Sequence, residues 1–430
     1  MTQKLVVFDV ETTTHEKGNP YSWRNKLVLG GAKCLNNGLV MTFGEWGEAE
    51  KLFEDATLIG ANLKFDLAWL RRIGGKLPKR VFDVQLAFFM LRDQKHVMPS
   101  VDEMCEFYGL EKKLDNIKLN YWEKGIDTDQ IPHQELKEYL LKDLELTELL
   151  YQKIQEELKG RSRNFNQLVK IHMMDLLVLE EMQSNGVKFD KNAAQKQQAE
   201  LQQKIDETIA ELEKYCPGVP INWNSGDHLS RLLFGGTIEI PERVANGIFK
   251  TGQRQGQIKY SWKTKEYQLP QLVKPKKEWE LKKEGFYATN DGVLRSISHK
   301  VAKTLLTYAK LIKLNEYFVK MPALIEQKDW PDDMLHGQFN QTVAITGRLS
   351  SSDPNLQNLA PEITRAFVPR KEQGFFVSVD AKALEWVAIA FLSQDQVAIN
   401  EIIAGVDQHS LNQKAFGLPT RHIAKIFVFR

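Results

Sequence analysis

Two acids, Asp9 and Glu11, stand two positions apart at the end of the short apolar run Leu5-Val6-Val7-Phe8. Side chains alternate along a strand, so both carboxylates emerge on one face. Adjacent anions repel, and a divalent cation relieves the repulsion, which makes such a pair a candidate metal site. An exposed strand end accommodates the same pair without any chemistry, so the other acids matter. Asn62-Leu63-Lys64-Phe65-Asp66 carries a third carboxylate at a strand-to-helix junction. Tyr139-x-x-x-Asp143 then sets a hydroxyl and a fourth carboxylate on one helix face through i,i+4 spacing.

The surrounding pattern supplies elements to carry these groups. From residue 5 to about residue 159, short strand-like runs alternate with helical ones, as in an α/β domain. Residues 5–8 and 58–61 read as buried strands, and residues 84–91 and 134–158 as helices. From Leu168 onward long amphipathic helices take over. Ile171, Met174, Val178 and Met182 recur at helical spacing, as do Leu201, Ile205, Ile209 and Leu212, and both sets are predicted to pack in a core. Asn185-Gly186 ends the first of these helices. Residues 237 to about 291 are rich in Gly, Lys, Gln and Pro, with weak periodicity, and read as an insertion.

A chain of 430 residues is long enough for two or three domains. Its net charge of +2 excludes little, because acidic sites and basic grooves cancel in the sum; distribution says more. Arg243, Lys250, Arg254, Lys259, Lys263, Lys265, Lys274, Lys276, Lys277, Lys282 and Lys283 make the insertion basic, with Tyr260, Trp262, Tyr267 and Trp279 interleaved. Phosphate contact with occasional stacking suits that stretch, and so does a solvated surface. Three scattered cysteines, Cys34, Cys105 and Cys216, fit neither a disulfide framework nor a paired zinc site and suggest a reducing compartment. The N-terminus does not read as a signal peptide, and no apolar run approaches membrane length. A cytoplasmic location is expected, that of a bacterial host if the gene is phage-encoded.

The ordered set Asp9, Glu11, Asp66, Tyr139, Asp143 resembles the DEDD 3′→5′ exonucleases of the tyrosine type over roughly residues 1–159. That resemblance implies an RNase H-like domain in which the four acids bind two divalent ions, Mg²⁺ or Mn²⁺, while Tyr139 orients the attacking water. The reaction implied is hydrolysis of single-stranded DNA 3′ ends. Asp83, in Phe82-Asp83-Val84-Gln85, resembles another frequent acid of that family and is assigned structural support.

Residues 346–358, Thr-Gly-Arg-Leu-Ser-Ser-Ser-Asp-Pro-Asn-Leu-Gln-Asn, resemble the primer-template signature of family A DNA polymerases. The resemblance implies that Arg348, Asn355, Gln357 and Asn358 touch primer-template DNA. Val377-Ser378-Val379-Asp380 reads as a palm strand whose Asp380 resembles the first catalytic, metal-binding aspartate. Glu385 falls at the steric-gate position. The sequence departs from the family at Ala381-Lys382, usually Tyr-Ser, and at Trp386-Val387, usually Leu-Arg, so the sugar-discriminating role of Glu385 rests on position alone. His409, Arg421 and Lys425 resemble residues that contact the triphosphate of an incoming dNTP, with Phe429 stacking on the nucleotide.

The expected organisation is therefore α/β: an RNase H-like exonuclease domain at 1–159, a mostly helical thumb-like region at 160–335, and a partial α+β palm with the start of the fingers at 336–430. No His-Asp dipeptide occurs in the sequence, so the second palm carboxylate of a His-Asp-Glu motif is lacking and the polymerase metal site is incomplete. The expected protein is the N-terminal part of a phage-type replicative or repair polymerase, truncated within the fingers and completed by a C-terminal fragment that also covers Ile426, Phe427 and Val428. A stand-alone 3′→5′ exonuclease and a DNA-binding subunit of a split polymerase are the competing readings.

Overall fold

Leu5–Thr12 (β1) buries Val6, Val7, Phe8 and Val10, and the sheet is built outward from it. The structure is a computed structural model that describes residues 3–428. On one side β1 pairs antiparallel with Leu27–Cys34 (β2), and β2 with Val40–Phe43 (β3). On the other it runs parallel to Thr57–Gly60 (β4), itself parallel to Arg80–Asp83 (β5). A parallel pair needs a crossover, and Leu63–Arg72 (α1) supplies the one between β4 and β5. The order β3-β2-β1-β4-β5 is the α/β sheet expected from the sequence.

Buried Asp83 starts two helices at once. Its carboxylate accepts hydrogen bonds from the Leu63 N–H (2.7 Å) at the head of α1 and from the Leu86 N–H (2.9 Å) at the head of Val84–Leu91 (α2). Each bond satisfies a donor that the helix leaves without an internal partner.

His133–Lys159 (α3) covers the β1–β2 face with the buried stripe Leu136, Tyr139, Leu140, Asp143, Leu144, Thr147 and Leu150. Gly31 permits this approach. It lies directly across from Asp9, and a Cβ there would come within 2.9 Å of Leu140 Cγ and 3.0 Å of Leu144 Cδ1.

Arg163–Asn185 (α4) adds Val169, Met173 and Leu176 to the first core, so packing on that core continues past residue 159. The stripe predicted to be buried is instead the outer one: Ile171, Met174, Val178 and Met182 are between 45% and 65% exposed. The inner face carries Leu179, Glu180 and Gln183, and polar partners explain why. Arg71 donates to both carboxylate oxygens of fully buried Glu180, at 3.0 and 2.7 Å, while Gln183 Oε1 accepts from Lys64 Nζ (2.7 Å) and the Phe339 N–H (3.0 Å). Satisfied in this way, polar groups can be buried where sequence pattern assigns them to water. The helix ends at Gly186, whose φ is 57° and where a Cβ would meet the His336 ring at 2.9 Å.

A second core forms around Lys191–Glu213 (α5), Gly226–Phe234 (α6) and Lys300–Gln327 (α7). Leu201, Ile205 and Leu212 are buried in it, with Ile209 partly covered, as predicted. Val187–Phe189 (β6) joins this region to a small separate sheet. Residues 237–291, read as an insertion of weak periodicity, contain a regular two-stranded antiparallel ribbon, Gly236–Ile248 (β7) and Ile258–Leu269 (β8). All three cysteines are buried and free. No described helix is long and apolar enough to cross a membrane.

Two compact units divide the chain, Met1–Arg370 and Lys371–Arg430. The second is helical: Leu384–Ser393 (α8), Gln396–Ile403 (α9), Gln408–Ala415 (α10) and Arg421–Val428 (α11). The palm strand expected at residues 377–380 does not form; Val377 and Val379 are 73% and 89% exposed. A strand needs a ladder partner for its backbone groups, and residues 371–428 contain no other strand.

Gly31→Ala should cost about 1–3 kcal/mol of stability through overpacking, read as a lower thermal midpoint. The double variant Gly31→Ala/Leu140→Ala should lose less stability than the two single losses added together, because removing the Leu140 side chain relieves the closer part of the clash and leaves the contact with Leu144.

Candidate active site

Strand β1 and helix α3 meet at the acids. Carboxylate oxygens of Asp9, Glu11 and Asp143 lie within 4.8 Å of one another. Asp66, in the first turn of α1, accepts a hydrogen bond from the Val10 N–H at 3.2 Å, and the same N–H donates to Asp9 Oδ1 at 3.0 Å. Glu11, Asp66 and Asp143 are 8%, 3% and 4% exposed. All four acids from the sequence pattern are therefore brought together, with Tyr139 one helical turn before Asp143 on the same buried stripe.

Burial raises the carboxyl pKa values throughout this group. Loss of water lifts Asp9, against the opposing pull of Lys113. It lifts Glu11 well above its usual range, reinforced by Asp9 and Asp143, and Asp66 likewise, reinforced by Asp9. Asp143 is pushed up to about 7 by burial, with Lys113 pulling the other way. Tyr139 is also raised, by burial first and then by Asp143, so its hydroxyl keeps its proton at neutral pH. The Tyr139 ring is set edge-on to Trp122, centroids 5.8 Å apart, and the Trp122 indole N–H donates to Thr128 Oγ1 at 3.1 Å.

Lys113 is the group that sequence reading missed. Its Nζ lies 2.5 Å from Asp143 Oδ2 and 5.5 Å from the centre of the Tyr139 ring. The loop that carries it is held by its own backbone, the Lys113 N–H donating to Asp102 Oδ1 at 2.9 Å. A Lys-Lys pair in an irregular segment has no periodic signature; the remaining signal is only that an acid-rich pocket calls for a cation.

The primer-template-like block lies in the first unit. Ser350–Ser352 pairs with Gln338–Asn340, and Arg348, Asn355, Gln357 and Asn358 lie on the accessible loops around that pair, with Arg348, Asn355, Gln357 and Asn358 flanking its second strand. Asn355 Oδ1 accepts from the Gln357 N–H (3.0 Å) and the Asn358 N–H (3.2 Å), so this side chain shapes the turn that presents its neighbours. The second unit holds Asp380 in exposed irregular chain and Glu385 in the first turn of α8. His409 lies on α10. Arg421 and Lys425 share one side of α11, and Arg421 donates to both oxygens of Asp407, at 2.7 and 2.9 Å, holding that carboxyl below its usual range. Phe429 lies outside the described residues. Ile426 and Phe427 are 44% and 52% exposed. Among the described residues, the only group of three or more metal-ligating side chains is the one containing Asp9, Glu11 and Asp143; none forms around Asp380.

Two families match the chain in sequence order. The 3′-5′ exonuclease family matches residues 30–159, and DNA polymerase family A matches residues 191–429. DNA polymerase I of Chloroflexus aurantiacus is 27% identical over 391 residues, covering 86% of this chain and 37% of that protein. The thermostable DNA polymerase I of Thermus thermophilus is 32% identical over 275 residues, covering 62% of this chain and 28% of its own length. The chain thus spans about a third of the length of these relatives. Among solved structures, the POL domain of Pol1 from M. smegmatis, in complex with DNA primer-template and dNTP, shares the fold with a TM-score of 0.69 at 19% identity, covering 100% of this chain and 67% of that one. With more than half of its residues matched by the polymerase family and an exonuclease match ahead of them, the chain belongs to DNA polymerase family A.

Proposed function

We propose that the first 159 residues hydrolyse DNA from its 3′ end, and that the remainder takes the thumb and partial palm and fingers roles around a primer-template and dNTP. The observation that carries this reading is the convergence of Asp9, Glu11 and Asp143 within 4.8 Å, with Asp66 and Asp9 accepting from the same Val10 N–H. This donor set fits divalent cations. It is all oxygen, as Mg²⁺ and Mn²⁺ prefer, and the buried Asp143 Oδ1 has no hydrogen-bond partner among the described residues. Bound there, two such ions would neutralise the acids, activate a water and stabilise the leaving oxygen of an in-line displacement.

The chain's own groups have separate tasks. Asp9, Glu11, Asp66 and Asp143 would hold the ions. Tyr139, protonated and fixed against Trp122, would offer a hydrogen bond that orients the water. Lys113 neutralises Asp143 and sits over the Tyr139 ring, keeping both side chains placed.

In the polymerase portion, Arg348, Asn355, Gln357 and Asn358 are proposed to meet primer-template DNA, testing pairing through minor-groove acceptors that every base pair presents. Asp380 would bind metal and Glu385 would act as the steric gate, while His409, Arg421 and Lys425 would neutralise the triphosphate. Primer extension would use a second palm carboxylate beside Asp380, and no His-Asp dipeptide lies within residues 1–430.

Asp9→Ala/Glu11→Ala should reduce release of mononucleotides from a 5′-labelled single strand to background while the protein remains folded, since mutual repulsion is removed. Full nuclease activity in that variant would overturn the active-site assignment. Tyr139→Phe should slow the reaction by about 10–100-fold, the usual scale for losing a group that positions a metal-site reactant.

Stability should depend on pH in a defined sense. The folded-state pKa values of Asp9, Glu11, Asp66 and Asp143 are raised, that of Asp143 to about 7. Their contribution is therefore fully present below the ordinary carboxyl range and is lost as pH rises through the folded values. In EDTA the melting temperature should fall between about pH 5 and pH 8. Mg²⁺ or Mn²⁺ should restore it at the upper end of that range, with release of protons, Lys113→Met should steepen the fall, and Asp9→Asn/Glu11→Gln should flatten it. A profile that is flat for the wild type, or unaffected by metal, would contradict a buried metal-binding cluster.

Mixing the chain with a polypeptide that carries the remaining fingers and palm should produce templated primer extension that Asp380→Ala abolishes and that leaves the nuclease intact. Templated synthesis by residues 1–430 alone would refute the requirement for a second carboxylate.

A further inference from the structure

We propose that the distal half of the β7–β8 ribbon is an arm that binds single-stranded DNA, with unpaired bases stacking on Trp262 and Tyr260 and phosphates held by Arg243, Lys250, Arg254 and Lys259. The inference rests on reading the chain as a DNA enzyme and adds to it a binding site remote in chemistry from the acidic cluster.

Strand register assembles the stacking face. Arg243 lies directly across from Trp262, and Ala245 across from Tyr260. Opposed residues, and residues two apart on one strand, share a face, so Arg243, Tyr260 and Trp262 form one group. The Arg243 guanidinium carbon lies 4.0 Å from the centre of the Tyr260 ring. Trp262 is 71% exposed and Tyr260 44%. Neither ring belongs to a hydrophobic core of the first unit, so neither is held by the packing of a core.

Charge selects the occupant. Residues 243–262 contain Arg243, Lys250, Arg254 and Lys259 and no acid. Nearby cations closer to the base of the ribbon are neutralised locally: Lys265 by Glu242 at 3.5 Å, Lys276 by Glu278 at 3.8 Å and Lys283 by Asp227 at 2.6 Å. The ribbon's tip thus carries four cations with no acid among them, with the exposed rings beside them. A polyanion meets the cations, and one with free aromatic faces also covers the rings. Unpaired bases satisfy both, whereas a duplex stacks its bases on each other and leaves Trp262 in water.

Anisotropy titrations of the full chain in EDTA, with fluorescein-labelled oligothymidylate, a blunt duplex and polyglutamate as probes, test this. Trp262→Ala should weaken oligothymidylate binding about tenfold with little change in salt dependence, and Trp262→Phe, which keeps a stacking face, should retain most of the affinity. Arg243→Gln/Lys250→Gln/Arg254→Gln should flatten the log–log salt slope by about 0.7 for each phosphate no longer neutralised. Binding of the blunt duplex should not respond to Trp262→Ala. The proposal is overturned if Trp262→Ala leaves oligothymidylate binding unchanged, if it weakens the duplex equally, if the charge variant keeps the wild-type slope, or if polyglutamate responds to Trp262→Ala as oligothymidylate does. Hydrolysis of a thymidine dinucleotide with Mg²⁺, measured alongside, should be unaffected by the ribbon variants. Failure of the wild type in that assay would count against the active-site reading while leaving the EDTA binding result intact.

Discussion

Four carboxyl groups held together away from water are the constraint on which the first unit turns. Two like charges separated by 4.8 Å repel by roughly 3 kcal/mol at an effective dielectric of about 20, and burial adds its own penalty to every ionised member. The fold meets this cost from several directions. The end of β1 presents Asp9 and Glu11 on one face, and the absence of a side chain at Gly31 lets α3 deliver Tyr139 and Asp143 to the same place. Asp83, buried at the end of the edge strand β5, accepts from the N-termini of α1 and α2 and thereby fixes the helix that carries Asp66. Lys113 closes one side of the group with a single positive charge, too little for four acids. A site in this condition holds protons or metal ions, and at neutral pH it gains more from metal.

The parts of this arrangement that were legible in the sequence are those in which chemistry and local periodicity coincide. Asp9-x-Glu11 at the end of an apolar strand and Tyr139-x-x-x-Asp143 on a helix announce their own geometry. Lys113 could not be found that way, because its contact with Asp143 is made by a loop and depends on how a neighbouring helix is anchored. The outward-facing stripe of α4 is a different failure. Two sets of residues on that helix repeat at nearly the same period, and hydrophobicity favoured Ile171, Met174, Val178 and Met182. The true inner face includes Glu180 and Gln183, made buriable by Arg71 and Lys64, residues more than a hundred positions away. The ribbon was obscure for the opposite reason: its distal part is exposed on both faces, and burial alternates only over the short stretch of β7 near its base.

The same reasoning separates the two units. Asp380 follows an alternating Val-Ser-Val segment that has strand character, yet strand character becomes a strand only when a neighbour completes the ladder, and residues 371–428 offer none. Helices satisfy their backbone groups internally, so α8 to α11 form without that help. The local charges then pair with one another. Asp407 takes both donors of Arg421 across an exposed surface. Exposed ion pairs contribute little to stability and are readily exchanged, and a triphosphate carries more charge than one carboxylate. Arg421 is therefore held at the start of α11 by an exposed carboxylate, with Lys425 one turn along the same side. An exposed pair of this kind orients the guanidinium at the helix start while adding little to the stability of the unit.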